Sequence, residues 1–139
     1  MTEGSLRRIT SYGLIAAHFL LIVLVFLLWA FHGFTFSEMT TTVAVLLPIF
    51  ATHTTAIAKY LVKNRVVVAD ANAKMITGEF KFLALFPPTV FVLLILVLIL
   101  LKAFNLAFGT FDEFKISLAL CESIFGVYMT LIVTSLYKQ

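Results

Sequence analysis

The chain is 139 residues long, 62% hydrophobic and only 12% charged, with a mean hydropathy of +1.09. Soluble domains are about half apolar and a quarter charged, so an ordinary water-soluble domain is excluded. The net charge of +3 is scattered between apolar runs, which makes it a topology signal rather than a nucleic-acid footprint.

About 20 consecutive apolar residues cross a bilayer as a helix, and four such segments fall at roughly 10–31, 38–60, 80–104 and 114–136. The expected fold is therefore all-α, a single four-helix membrane domain over 1–139. Its first hairpin would cover about 10–60, a loop about 61–79 and a second hairpin about 80–136. Arg7, Arg8, Lys59, Lys63, Arg65, Lys74, Lys81 and Lys138 would stand on one side of the bilayer, with Lys102 and Lys115 on the other. The positive-inside rule then puts both termini in the cytoplasm. The expected location is the plasma membrane, or the inner membrane of a bacterium. Cys121 is the only cysteine; it can form no internal disulfide and reads as a small packing residue.

Residues 1–9, MTEGSLRRI, are a polar start resembling the charged part of a secretory signal. The apolar run that follows is too long for one and is assigned as the first membrane helix. Ser11, Gly13, Ala16, Ala17 and His18 make its inner half small and polar, which suits close helix packing. His18 is expected to donate a hydrogen bond at a helix contact; a titratable or ligand-facing role competes with that reading. HGFTFS at 32–37 is a tight outer turn in which Ser37 can cap the second helix, and Glu38 lies where the helix dipole favours an acid.

The second segment is the informative one. At about 100° per residue, Glu38, Thr41, Thr42, Val45, Ile49, Thr52, His53, Ala56, Lys59, Tyr60 and Lys63 fall within roughly 60° of one line. That line reads acid, hydroxyls, apolar middle, hydroxyl plus imidazole, bases. Polar groups at membrane depth normally face a protein interior or water, so a lining helix is predicted. Pro48 supplies a hinge, and nearby threonines are expected to satisfy the carbonyl it frees.

Lys59 to Glu79 reads as a helical continuation closed by a turn at Gly78. Its basic residues, Lys63, Arg65 and Lys74, suit anionic head groups or the docking of a cytoplasmic partner. The third segment, VFVLLILVLILL apart from Pro87, Pro88 and Thr89, is the candidate lipid-facing helix, bent by its proline pair. The fourth holds Glu122, the one acid well inside the hydrocarbon. A carboxyl there is protonated, paired or facing water. His18 and His53 are candidate partners if the helices adjoin. Ala119, Ser123, Gly126, Thr130 and Thr134 form a small-residue ridge for a neighbouring helix.

Shifting the chain by 75 residues pairs 34–63 with 109–138, with ten identities in thirty positions. The shared TF-x-E start, at Thr35 and Thr110, is the most informative part, and LLWAF at 27–31 matches LLKAF at 100–104. Two tandem helical hairpins of like orientation are expected, related by an axis along the membrane normal.

These residues predict a small homo-oligomeric, cation-preferring channel lined by the second helix. Glu38 would concentrate cations at the outer mouth, and Val45 and Ile49 would form a constriction that gates by dewetting. His53 would add sensitivity near its ordinary pKa of about 6.5. One alternative is an assembly or regulatory subunit docking on a larger partner, for which the same line is dry and paired. Another is a small proton-coupled transporter using Glu122 and a histidine. An enzyme is not expected: there is no metal-spaced His/Cys cluster, phosphate loop or Ser–His–Asp set. Neither a cofactor nor nucleic acid is implied; the expected partners are the lipid bilayer and further copies of the chain.

Overall fold

A computed structural model describes residues 2–63 and 75–137, with the backbone alone at 60, 61, 63 and 137. It contains four α-helices, α1 (Glu3–Ala30), α2 (Phe36–Lys63), α3 (Gly78–Ala103) and α4 (Phe111–Tyr137). Each is long and apolar enough to cross a membrane. The protein is thus an all-helical, multi-pass membrane protein.

Every helix begins on a threonine. The Thr2 side chain accepts from the Ser5 amide and that of Thr77 from the Phe80 amide. Thr35 and Thr110 accept in the same way from Glu38 and Glu113, whose carboxylates return to the amides of Thr35 and Thr110. TF-x-E is therefore a capping box, in which two otherwise orphaned donors are satisfied reciprocally. Thr35, and not Ser37, caps α2; the expected cap was two residues late. α1 likewise begins earlier than its apolar run, because the Thr2 cap and a Glu3–Arg7 pair one turn apart hold the polar start in helix. Gly78 is the first residue of α3 rather than a turn.

The C-terminal ends of α1 and α3 stop in the same manner. Gly33 N–H donates to Leu28 and His32 N–H to Trp29, and Leu106 and Asn105 repeat the pattern onto Leu101 and Lys102. These are Schellman closures, with His32 (φ 64) and Asn105 (φ 53) as the left-handed residues. Gly33 is confined for a second reason: a Cβ there would lie 3.2 Å from the Ala103 Cβ, so the two ends meet at van der Waals distance.

Round the bundle the helices stand in the order α1, α2, α4, α3. The α2–α4 seam is the most extensive, and α2 and α3 lie apart across the diagonal. The core runs its whole length, from Leu6 and Leu136 at one end through Leu14, Leu46, Ile95, Leu118 and Phe125 to Phe34 and Phe114 at the other. α3 presents Phe82, Phe86, Val90, Leu93 and Val97 outward, as expected of a lipid-facing helix, and it is helical through Pro87 and Pro88.

The prolines and hydroxyls show how polar groups are settled. A proline lacks the N–H for the carbonyl four residues earlier. For Pro87 that carbonyl is Leu83, and the Tyr128 hydroxyl of α4 donates to it at 2.5 Å. The threonine expected to serve Pro48 does not: Thr52 donates to the Pro48 carbonyl itself, 2.8 Å away, whereas the carbonyl freed by Pro48 is that of Ala44. Ser123, Thr130 and Thr134 of the α4 ridge bond their own helix and are exposed. Only Gly126 of that ridge makes a close packing point, a Cβ there lying 3.1 Å from Ile49 Cδ1.

Removing the Tyr128 hydroxyl leaves the Leu83 carbonyl without its donor, which costs about 0.5–1.5 kcal/mol for an ordinary hydrogen bond. Tyr128→Phe is therefore expected to lower the thermal unfolding midpoint in lipid or mild detergent; an unchanged midpoint would mean the bond contributes nothing.

Candidate functional site

Phe125 stands where the four helices converge. His18 of α1 stacks on it at 5.6 Å between ring centroids, and His53 of α2 meets it edge-on at 6.4 Å. Phe91 of α3 tilts against it at 5.5 Å. His18 also stacks on Phe50 at 5.4 Å, so the imidazole lies against two phenyl rings. Phe91 also contacts Tyr128, at 6.4 Å.

His18 is 2% exposed, His53 5% and Glu122 2%. His18 Nδ1 lies 3.0 Å from the Leu14 carbonyl; a carbonyl only accepts, so Nδ1 carries the proton and, in the neutral ring, Nε2 holds a lone pair. Among the described residues that Nε2, both nitrogens of His53 and both oxygens of Glu122 have no hydrogen-bond partner. His18 is thus a helix-contact residue that donates a hydrogen bond, as expected, the acceptor being a carbonyl of its own helix. The expected pairing of Glu122 with a histidine is not made. Glu122 lies one turn from Gly126 on the same side of α4, in the seam where Gly126 faces Ile49.

The line along α2 divides. Thr42 and His53 are buried, Thr41, Val45 and Ile49 half-buried, and Thr52 and Lys59 exposed. Val45 and Ile49 pack against the core cluster. The Thr42 hydroxyl donates to Glu38 O at 2.7 Å, so it needs neither water nor a second helix. Glu38 is fully engaged: Oε2 accepts from the Thr35 amide and hydroxyl, and Oε1 is 3.0 Å from Lys102 Nζ. In the sequence Lys102 reads only as a charge in the last turn of a helix, where a cation is favoured; nothing there points to its partner on α2. Arg65 and Lys74 lie outside the described residues, as does the Lys63 side chain.

No group of three or more His, Cys, Asp or Glu suited to a metal occurs among the described residues. What the centre offers is proton chemistry. An imidazolium at His18 would lie beside two phenyl rings, each within the ~6 Å at which cation–π attraction acts. Comparison with family models, with curated proteins and with solved structures found no match for this chain.

A buried polar atom without a partner destabilises by about 1–3 kcal/mol, and replacing it by an apolar group of similar shape removes that cost. Glu122→Met and His53→Phe are therefore each expected to raise the thermal midpoint. A lowered midpoint for Glu122→Met would reveal a structural hydrogen bond at that carboxyl.

Proposed function

We propose that this protein is a small proton-coupled membrane transporter whose proton-carrying groups are His18, His53 and Glu122. The observation that carries this reading is the set of unpartnered, titratable atoms at the bundle centre, contributed by α1, α2 and α4. Ionisable groups in hydrocarbon are costly and mark proton or ion paths. Here the usual structural reason for keeping them, a hydrogen bond between helices, is missing. In this reading His18 takes a proton at Nε2, its one free lone pair, and Glu122 takes or releases one at its unpartnered carboxyl.

The expected pore along α2 has less support. Its constriction, Val45 and Ile49, belongs to the core of a single chain, and the cation-attracting Glu38 is neutralised by Lys102. A channel between copies would draw instead on the outward side of α2, where Ala44, Leu47, Ala51, Thr52 and Lys59 are exposed. For the docking subunit, the dry line is already occupied by the chain's own α4.

Both termini belong in the cytoplasm in this reading. Arg7, Arg8, Lys59 and Lys81 gather at the end where α1 begins, whereas Lys102 and Lys115 are at the other. The two hairpins are proposed to be tandem repeats. The register that aligns LLWAF with LLKAF places His18 on Phe91, and the register of the capping boxes places Phe50 on Phe125 and His53 on Tyr128. The central cluster would then be one three-ring motif used twice, with imidazoles in the first copy and a phenyl and a phenol in the second.

The test is proton flux into liposomes carrying the purified protein and an internal pH dye, under an imposed gradient. Wild type is expected to dissipate the gradient at least about tenfold faster than Glu122→Gln, the scale of removing one proton-transfer group. Equal rates in the two proteins, or a silent but well-folded wild type, would overturn the proposal.

A further inference from the structure

α1 and α3 do not close along their inner halves. A crevice of about 230 Å³ separates them, walled by Gly13 and Ala17 on one side and Ala84 and Pro88 on the other. It exceeds the ~150 Å³ dry cavity that admits a benzene molecule, and it is partly open toward the surroundings of a membrane span. A Cβ built on Gly13 meets nothing within 4 Å, so the space is free at the α1 backbone.

Two polar groups mark its inner end. Thr10 lines the crevice, is 4% exposed, and its hydroxyl has no hydrogen-bond partner among the described residues. Among the described residues it is the one buried hydroxyl so left, whereas Thr40, Thr42, Thr52, Thr89, Thr130 and Thr134 bond a carbonyl of their own helix. Lys81 sits one turn inward of Leu85, in an adjoining hollow of α3 that shares Leu85 and Thr89 with the crevice. It is exposed and has no acidic partner among the described residues. Glu79 lies two residues away, about 200° round the helix.

We propose that this crevice binds one anionic glycerophospholipid, with its phosphate at Lys81, an ester carbonyl accepting from the Thr10 hydroxyl, and the start of one acyl chain between Gly13, Ala17, Ala84 and Pro88. The spacing along the helices matches that molecule. Lys81 is three residues inward of Ala84, about 4.5 Å at 1.5 Å per residue, with its charge free to extend to the surface. Thr10 follows at the level where esters lie below phosphates, and Thr10 to Ala17 spans about 10 Å of chain. Small walls admit a chain where a Leu or Phe would fill the space.

Native mass spectrometry of the detergent-solubilised protein, titrated with phosphatidylglycerol or phosphatidylcholine, tests this. Wild type is expected to hold one phosphatidylglycerol per chain, about fivefold more tightly than phosphatidylcholine, the effect of one lysine near a head group. Lys81→Gln should abolish that preference. Thr10→Val should weaken both lipids while leaving the lipid-free thermal midpoint unchanged or raised. Gly13→Leu, which the open space accommodates, should weaken both by about tenfold, the value of some two buried methylenes. Wild-type lipid retention by Gly13→Leu would overturn the proposal. So would loss of dimers on that substitution with lipid binding intact, because a second copy's helix would then be the occupant.

Discussion

A chain that crosses hydrocarbon four times meets no water along the way to take up a free amide, carbonyl or hydroxyl, and each such group left alone costs several kcal/mol. Most of this structure is an answer to that constraint. Four threonines close the helix starts, and two left-handed residues, His32 and Asn105, close the C-terminal ends of α1 and α3. The hydroxyls of α2 and α4 fold back onto carbonyls one turn earlier. Where Pro87 frees the Leu83 carbonyl, a tyrosine from the next helix reaches it. The exceptions gain weight against that background: His18 Nε2, His53 and Glu122 are buried and left unbonded.

Those exceptions surround an aromatic centre, which explains how they are tolerated without being stabilised. Phe125 touches side chains of α1, α2 and α3, so it fixes the distance between helices at the level of the histidines. In the proposed reading, packing and proton handling would share the same atoms, because the imidazole that takes the proton is itself a contact between α1, α2 and α4. In the repeat reading, the second hairpin shows the same layer without function: Phe91 and Tyr128 fill the positions of His18 and His53, and the phenol serves only a proline's lost bond.

The four helices were legible because membrane spans are written in long apolar runs that tolerate errors of several residues at each end. Their termini were not, since a cap depends on one side chain: Thr35 and Thr2 were passed over, although T-x-x-E stands at both 35–38 and 110–113. The side of α2 that faces inward was only partly legible. A helical line of hydroxyls looks wet when hydroxyls are assumed to need water, but Thr42 and Thr52 are satisfied by their own backbone, and Thr52 faces outward. Helical periodicity also cannot report a partner on another helix, so the Lys102–Glu38 pair, which neutralises the acid expected to attract cations, is not legible in the sequence. Glu122 and the two histidines stand out as costly residues; that all three are buried without a partner follows from the packing of the helices, which local pattern does not encode.

The claim on which this account rests is that the buried carboxyl and imidazoles exchange protons rather than merely occupy space. Infrared difference spectroscopy of the purified protein in lipid, recorded as pH is stepped and compared with Glu122→Gln, reads the carboxyl C=O stretch of Glu122 directly. The account predicts a protonated-carboxyl band that is absent from the variant and changes reversibly with pH. A band that stays constant at every pH, or none assignable to Glu122, would mean that the group is fixed in one state, and the proton-handling centre would be contradicted.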